Sequence, residues 1–274
     1  LEPITMDLFT QYKFLSGLRR GPLGELAFLT AQADVEENSY RKDLWLKPLD
    51  GPAFPLTTDG KTGGFLWDGP HTLLFQSTRD PEHKKRAEAG EEHTAFYRLD
   101  LRGGEAQKAF EVPLSASLLE KAGEGVYLLA VDWDLRFSKA HQLKGGAKEA
   151  LLKEKKEEKD YQVLDELPFY FKGAGYVNEH RTALFLLEEE SGKLTRLTKE
   201  SFDVSSAHLS PDGTQLLFTG ESYTTKRSCA LGCTGTTSPP GRRPSCWPPG
   251  PTACTTPCGG GRRCCCWPRT TSAT

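Results

Sequence analysis

All eight cysteines of this 274-residue chain lie between Cys229 and Cys266. They sit in a segment that departs from the rest in nearly every respect. From Ser222 to Thr274 there is no Asp, Glu, Val, Ile, Phe or Met, and a single large aliphatic residue, Leu231. Pro-Pro and Arg pairs, Thr runs and the triplet Cys264-Cys265-Cys266 stand in their place. A stretch so poor in apolar side chains cannot bury enough surface to offset its chain entropy. The sequence therefore divides into a body, 1–222, that can build a core, and a tail, 223–274, expected to be disordered.

The charge divides in the same place. With Lys226 and six arginines in the tail and a formal charge of −2 for the whole chain, residues 1–221 carry −9. An acidic body argues against nucleic-acid binding, which needs a basic face. The body has no cysteine and so no disulfide framework. No run of about eighteen apolar residues exists, so no membrane-spanning helix is expected. Leu1-Glu2-Pro3-Ile4-Thr5 lacks the regions of a signal peptide, and Leu1 stands where an initiator Met would, which implies residues upstream. The expected compartment is the cytoplasm.

Along the body, short strands with two-residue alternation are separated by turn signals. The clearest is Ser210-Pro211-Asp212-Gly213 ahead of Leu216-Leu217-Phe218. Pro presets the turn, Asp bonds the chain beyond it, and Gly accepts positive φ. Comparable units place Phe28, Phe75, Leu129 and Phe218 at steps of 47, 54 and 89 residues. A second ladder consists of alternating strands that end at Gly51, Gly103 and Gly192, at steps of 52 and 89. A repeat of about 40–50 residues carrying four short strands predicts a β-propeller. The step of 89 reads as two repeats, giving an all-β, incomplete propeller of about four to five blades. An irregular β-sandwich is the alternative architecture. Phe137–Leu164 interrupts the pattern; Lys148–Asp160 is mostly Lys and Glu, and Glu149 and Lys153 stand four apart. This predicts a solvated helical insertion between blades, with a gate or partner arm as its functional version.

No catalytic constellation is legible. Gly-x-Ser-x-Gly, which exposes a nucleophile on a strand-to-helix turn, does not occur. His71, His83, His93, His141, His180 and His208 show no metal-ligand spacing and read as turn or surface residues. There is no phosphate-binding glycine loop, and Glu188-Glu189-Glu190 reads as a solvated hairpin tip. The expectation is no catalytic, cofactor-binding or metal-binding residue, and no cofactor.

Several segments together resemble the N-terminal propeller of the prolyl oligopeptidase family of serine peptidases, in its acylaminoacyl-peptidase-like branch. They are Phe9–Leu18, Glu36–Tyr40 leading into Asp43-Leu44-Trp45-Leu46, Leu56-Thr57-Thr58 and Lys159-Asp160-Tyr161. Leu164–Phe169, Gly173–Tyr176, Arg181–Leu187, Leu197-Thr198, Phe202-Asp203-Val204 and Ser210–Phe218 complete the set. The resemblance spans residues 5–222. It implies a propeller that covers the active site of an α/β-hydrolase domain and limits access to peptides. It also implies a catalytic Ser, Asp and His in that domain, none of which has a matching position here. The chain is thus expected to be an inactive, truncated piece of an acylaminoacyl-peptidase- or dipeptidyl-peptidase-like enzyme, with peptide substrates only in the intact enzyme. A free-standing propeller scaffold for proteins or peptides is the alternative.

For the tail, a zinc or iron–sulfur module lacks His and ligand spacing around Cys264-Cys265-Cys266. A disulfide knot would need an oxidising compartment. The third reading is translation out of frame. Taking the last base of each codon with the first two of the next, Cys264-Cys265, Cys265-Cys266 and Cys266-Trp267 each give Leu, and Trp267-Pro268 gives Ala. Gly232–Ser238 gives Leu, Met or Val, then Tyr or His, then Arg, Gly or Trp, then two from Tyr, His, Asn and Asp. That matches the blade segment Phe96-Tyr97-Arg98-Leu99-Asp100-Leu101. A frameshift between Gly220 and Cys229 is the expected origin.

Overall fold

The computed structural model describes residues 6–157, 161, 163–171, 174–227 and 233–237. Three four-stranded antiparallel sheets and one of three strands follow one another along the chain. Blade 1 contains β1 (Lys13–Arg20), β2 (Leu26–Asp34), β3 (Ser39–Lys47) and β4 (Phe54–Pro55). Blade 2 contains β5 (Thr62–Gly69), β6 (Thr72–Ser77), β7 (Thr94–Asp100) and β8 (Gln107–Val112). Blade 3 contains β9 (Ala116–Gly123), β10 (Val126–Asp134), β13 (His180–Glu188) and β14 (Lys193–Arg196). Blade 4 contains β15 (Phe202–Leu209), β16 (Leu216–Ser222) and β17 (Cys233–Thr237). The first strands β5 and β9 pack on each other, as do β9 and β15, which makes them the inner strands. The architecture is that of a propeller with an incomplete set of blades.

Two-sided burial explains the apolar runs. On β6, Leu73 and Phe75 pack toward blade 1 while Leu74 packs toward blade 3. On β10, Tyr127, Leu129, Val131 and Trp133 face blade 2, and Leu128 joins the blade 4 core of Leu184, Leu186, Val204, Leu216 and Phe218. A strand buried on both faces needs apolar residues at successive positions, which period two alone does not provide.

Both sequence ladders fall in register. Phe28, Phe75, Leu129 and Phe218 each lie on the second strand of a blade. Gly51, Gly103 and Gly192 each follow the third strand, with φ of 100°, 138° and 64°. The step of 89 is, however, one blade and not two. Leu129 and Phe218 are on neighbouring blades, and the extra residues belong to one long connection between β10 and β13. That connection holds helix α2 (Gly146–Glu157) and the hairpin β11 (Tyr170–Phe171) with β12 (Gly175–Tyr176). A helix was expected here, but between blades; it lies within blade 3, between that blade's second and third strands, and so lengthens the ladder without adding a blade.

The described residues continue past residue 222. Cys233–Thr237 pairs with β16 from Gly220↔Cys233 to Leu216↔Thr237. A strand edge needs only backbone partners, so a segment without large apolar side chains can supply them. The rest of the tail's expected disorder lies outside the described residues.

Blade 1 has a free side. Phe14, Leu15 and Leu18 on β1 are 51%, 69% and 66% exposed, although β1 is the first strand of its blade. No described element covers them. No helix among the described residues is long and apolar enough to cross a membrane.

Candidate functional site

In an antiparallel meander, the first-to-second and third-to-fourth strand turns share one face of the ring. The second-to-third connections and the links between blades share the other, here termed the upper face. The long connections all emerge on the upper face. Blade 2 contributes α1 (Pro81–Glu88), capped by Asp80, whose carboxylate accepts the Glu82 N–H at 3.0 Å, with Pro81 in the first turn. Blade 3 contributes α2 and the β11–β12 hairpin, and blade 4 contributes Tyr223–Arg227.

These connections are tied to one another. Lys148 reaches Glu91 at 2.6 Å, and Lys155 reaches Glu92 at 2.7 Å, which docks α2 on blade 2. Glu91 also receives Arg86 at 2.8 Å. Its hydrogen bonds to Arg86 and Lys148 outweigh burial and hold its carboxyl down at about 2. No α2 residue is buried, so these charges, not a core, position the helix. On the other side, the Leu167 N–H donates to the Thr225 carbonyl at 2.9 Å, and the Arg227 N–H donates to the Leu167 carbonyl at 2.8 Å. The peptide bond between Leu167 and Pro168 is cis.

Beneath this junction lies a buried ion pair. Arg181, the second residue of β13, donates to both Glu166 oxygens at 3.0 and 2.5 Å. Their side chains are 0% and 3% exposed. The Arg181 guanidinium stacks on Tyr223 at 3.8 Å and donates to the Tyr223 carbonyl. Glu166 also accepts the Glu179 N–H at 2.8 Å. Desolvation opposes the charge on Arg181, yet the Glu166 hydrogen bonds raise its pKa above the ordinary value.

The lower face carries a second network, between blades 2 and 3. Arg98 reaches Asp68 and Glu189 at 2.8 Å each, and Lys121 reaches Asp68 at 2.8 Å. The Tyr127 hydroxyl donates to Asp68 at 2.9 Å. Burial would raise Asp68, but Lys121, Tyr127 and Arg98 prevail and leave it below its ordinary value. Glu189 is therefore an inter-blade partner rather than the solvated tip expected of Glu188-Glu189-Glu190. Neither Arg98 nor Asp68 stood out in the sequence, because both occupy ordinary strand and turn positions.

The histidines do not assemble. His83 and His93 pack ring to ring at 4.4 Å with a tilt of 46°, His180 meets Asp132 at 2.9 Å and His208 meets Glu120 at 3.2 Å. His93 is only 8% exposed, which corrects its reading as a surface residue; α1 covers it. Among the described residues, no three His, Cys, Asp or Glu side chains are grouped as metal ligands. Most tail cysteines lie outside the described residues, so the zinc and disulfide readings find no geometry here. The upper-face contacts hold neighbouring segments together, and among the described residues they include no assembled nucleophile and base.

No family model matches the chain. It is 26% identical over 224 residues to the uncharacterized peptidase YuxL of Bacillus subtilis (strain 168), covering 78% of this chain and 31% of that protein. Its fold is similar to Pyrococcus horikoshii acylaminoacyl peptidase, with a TM-score of 0.51, 13% identity, and coverage of 78% of this chain and 29% of that one. It is likewise similar to an acylaminoacyl peptidase in complex with Z-Gly-Gly-Phe-chloromethyl ketone, with a TM-score of 0.55, 13% identity, and coverage of 84% and 32%. The resemblance to peptidases of this kind over the propeller, read from residues 5–222, is thus borne out. The chain spans about a third of the length of these relatives.

Proposed function

We propose that this chain is the substrate-gating propeller portion of an acylaminoacyl-peptidase- or dipeptidyl-peptidase-like serine peptidase, separated from its catalytic domain by a frameshift. By itself it would hydrolyse nothing. The observation that carries this reading is the free side of blade 1. Phe14, Leu15 and Leu18 are of core type and sit on an inner strand, yet they are exposed. Fully burying such a side chain is worth roughly 1.5–3 kcal/mol, and each of these forgoes about half or more of it. A closed ring would cover them with another blade.

The position of β17 supports the frameshift. A third strand is required after β16, and Cys233–Thr237 supplies it at the place where the shifted frame yields a blade-like segment. In frame, that strand is Cys-Thr-Gly-Thr-Thr, which offers backbone pairing but little to bury. The alternative, a free-standing propeller scaffold, would need further in-frame blades to cover blade 1 and close the ring.

Resequencing the gene across Glu221–Cys229 and reading the DNA downstream in all frames tests the proposal. The expected result is a one-base discontinuity followed, in the restored frame, by further blades and a Gly-x-Ser-x-Gly segment. An uninterrupted frame there, without such a segment downstream, would overturn it.

A further inference from the structure

Between α2 and the upper ends of blades 2 and 3 lies a cavity of about 260 Å³. Its walls are mainly apolar: Leu114, Trp133, Phe137 and Leu143, with Leu151 and Leu152 contributed by α2. This accounts for the two leucines in an otherwise charged helix. Trp133 is held firmly. The Arg196 guanidinium lies over its ring at 4.4 Å, and Phe185 and His141 pack on it at 5.3 and 5.4 Å.

Two polar features of the lining are unfulfilled. Trp133 is 5% exposed, and its Nε1–H has no acceptor. A buried donor without a partner carries a desolvation cost that a ligand's acceptor would relieve. The second feature is Lys144. Most other charged groups of the lining are engaged: Glu91 with Lys148, Glu92 with Lys155, and Asp132 with His180. Asp134 accepts the Arg136 N–H. Lys144 has no carboxylate partner among the described residues. A small, largely apolar pocket with one buried donor and one available cation selects for charge as well as shape.

We infer that this cavity binds a small monocarboxylate with an aromatic or branched apolar body. The body fills the space between Trp133, Phe137, Leu151 and Leu152. An oxygen of the carboxylate accepts from Trp133 Nε1–H, and Lys144 balances the charge. This inference is independent of the peptidase reading, because it rests on blades 2 and 3 and their own insertion.

The test is a titration of the full chain with 3-phenylpropionate, followed by calorimetry and Trp fluorescence. Saturable one-to-one binding is expected, with weaker binding of 3-phenylpropionamide and none of propionate. Leu152→Trp fills the cavity and should abolish binding. Trp133→Phe keeps an aromatic ring there but removes the donor, and should weaken binding about fivefold. Lys144→Gln, at an exposed position, should erase the preference for acid over amide, and it keeps the test decisive if Trp133→Phe fails to fold. Circular dichroism confirms the fold of each variant. Absence of saturation by 3-phenylpropionate at millimolar concentration would overturn the site, as would undiminished binding to folded Leu152→Trp. Equal affinity for acid and amide would overturn the carboxylate assignment.

Discussion

Replacing Glu166 by Ala isolates what holds the upper face together. Arg181 is fully enclosed, and both its carboxylate contacts come from Glu166. Guanidinium cannot shed its proton at any pH the fold survives, so the variant would leave a buried cation with the His180 and Tyr223 carbonyls and the Tyr223 ring as company. Breaking a buried pair from one side costs about 3–5 kcal/mol, and the residual cation–π contact returns at most about 2. Against a total stability of roughly 5–15 kcal/mol, this is a loss that urea unfolding measures easily. The midpoint should fall sharply with the m-value unchanged. Arg181→Met should cost less, because a lone Glu166 can take up a proton, and its deficit should shrink as pH falls. The double variant Glu166→Leu/Arg181→Met removes both charges and should recover to within about 1 kcal/mol of the wild type. A Glu166→Ala loss below about 1 kcal/mol would refute the reasoning. So would a double variant as weak as the single one.

Three further outcomes are expected. Arg98→Ala should flatten the acid side of the stability profile: Asp68 is depressed below 3.8, so its contribution is complete above about pH 4 and is lost as pH falls through the lowered value. Urea midpoints from pH 7 to pH 2 check this, and identical slopes in both proteins would contradict it. Gly220→Ala should destabilise blade 4 by more than about 2 kcal/mol, because the new Cβ would overlap the Asp203 carbonyl oxygen and sit 2.9 Å from the Val204 Cα; a thermal midpoint within a degree of the wild type would contradict it. Lys148→Ala/Lys155→Ala should raise hydrogen exchange in Gly146–Glu157 severalfold at pH 7. Wild-type α2 should loosen likewise as pH falls from 4.5 toward 2, where Glu91 loses its charge.

The blades were legible because their signals are local. Ser210-Pro211-Asp212-Gly213 makes its turn with the bonds its residue types imply: the Gly213 N–H donates to the Ser210 carbonyl at 2.8 Å, and Gly213 has φ of 66°. The third-strand glycines fell in step for the same reason. The ladder misled only at the step of 89. Periodicity measures distance along the chain, and an insertion adds residues without adding a blade. Leu135–Glu179 connects β10 to β13, whose full register from Val126↔Glu188 to Asp134↔His180 is that of adjacent strands.

The polar organisation was not legible, and the cause is physical. Glu166 and Arg181 are 15 residues apart, Arg98 and Glu189 are 91 apart, and Lys155 and Glu92 are 63 apart. A charge pair at i,i+4 has a sequence signature because a helix fixes its geometry. A pair between blades has none, since its geometry exists only once the ring has assembled. Glu166 and Lys153 look alike in a string of charged residues, yet one is 4% exposed and the other is a surface partner of Glu157 at 3.7 Å. What separates them is the cover supplied by Tyr223, which the sequence assigns to the tail. The pair of Glu166 with Arg181 is thus closed by Tyr223 and flanked by the Leu167–Arg227 hydrogen bond, contacts that no composition break at residue 222 could announce.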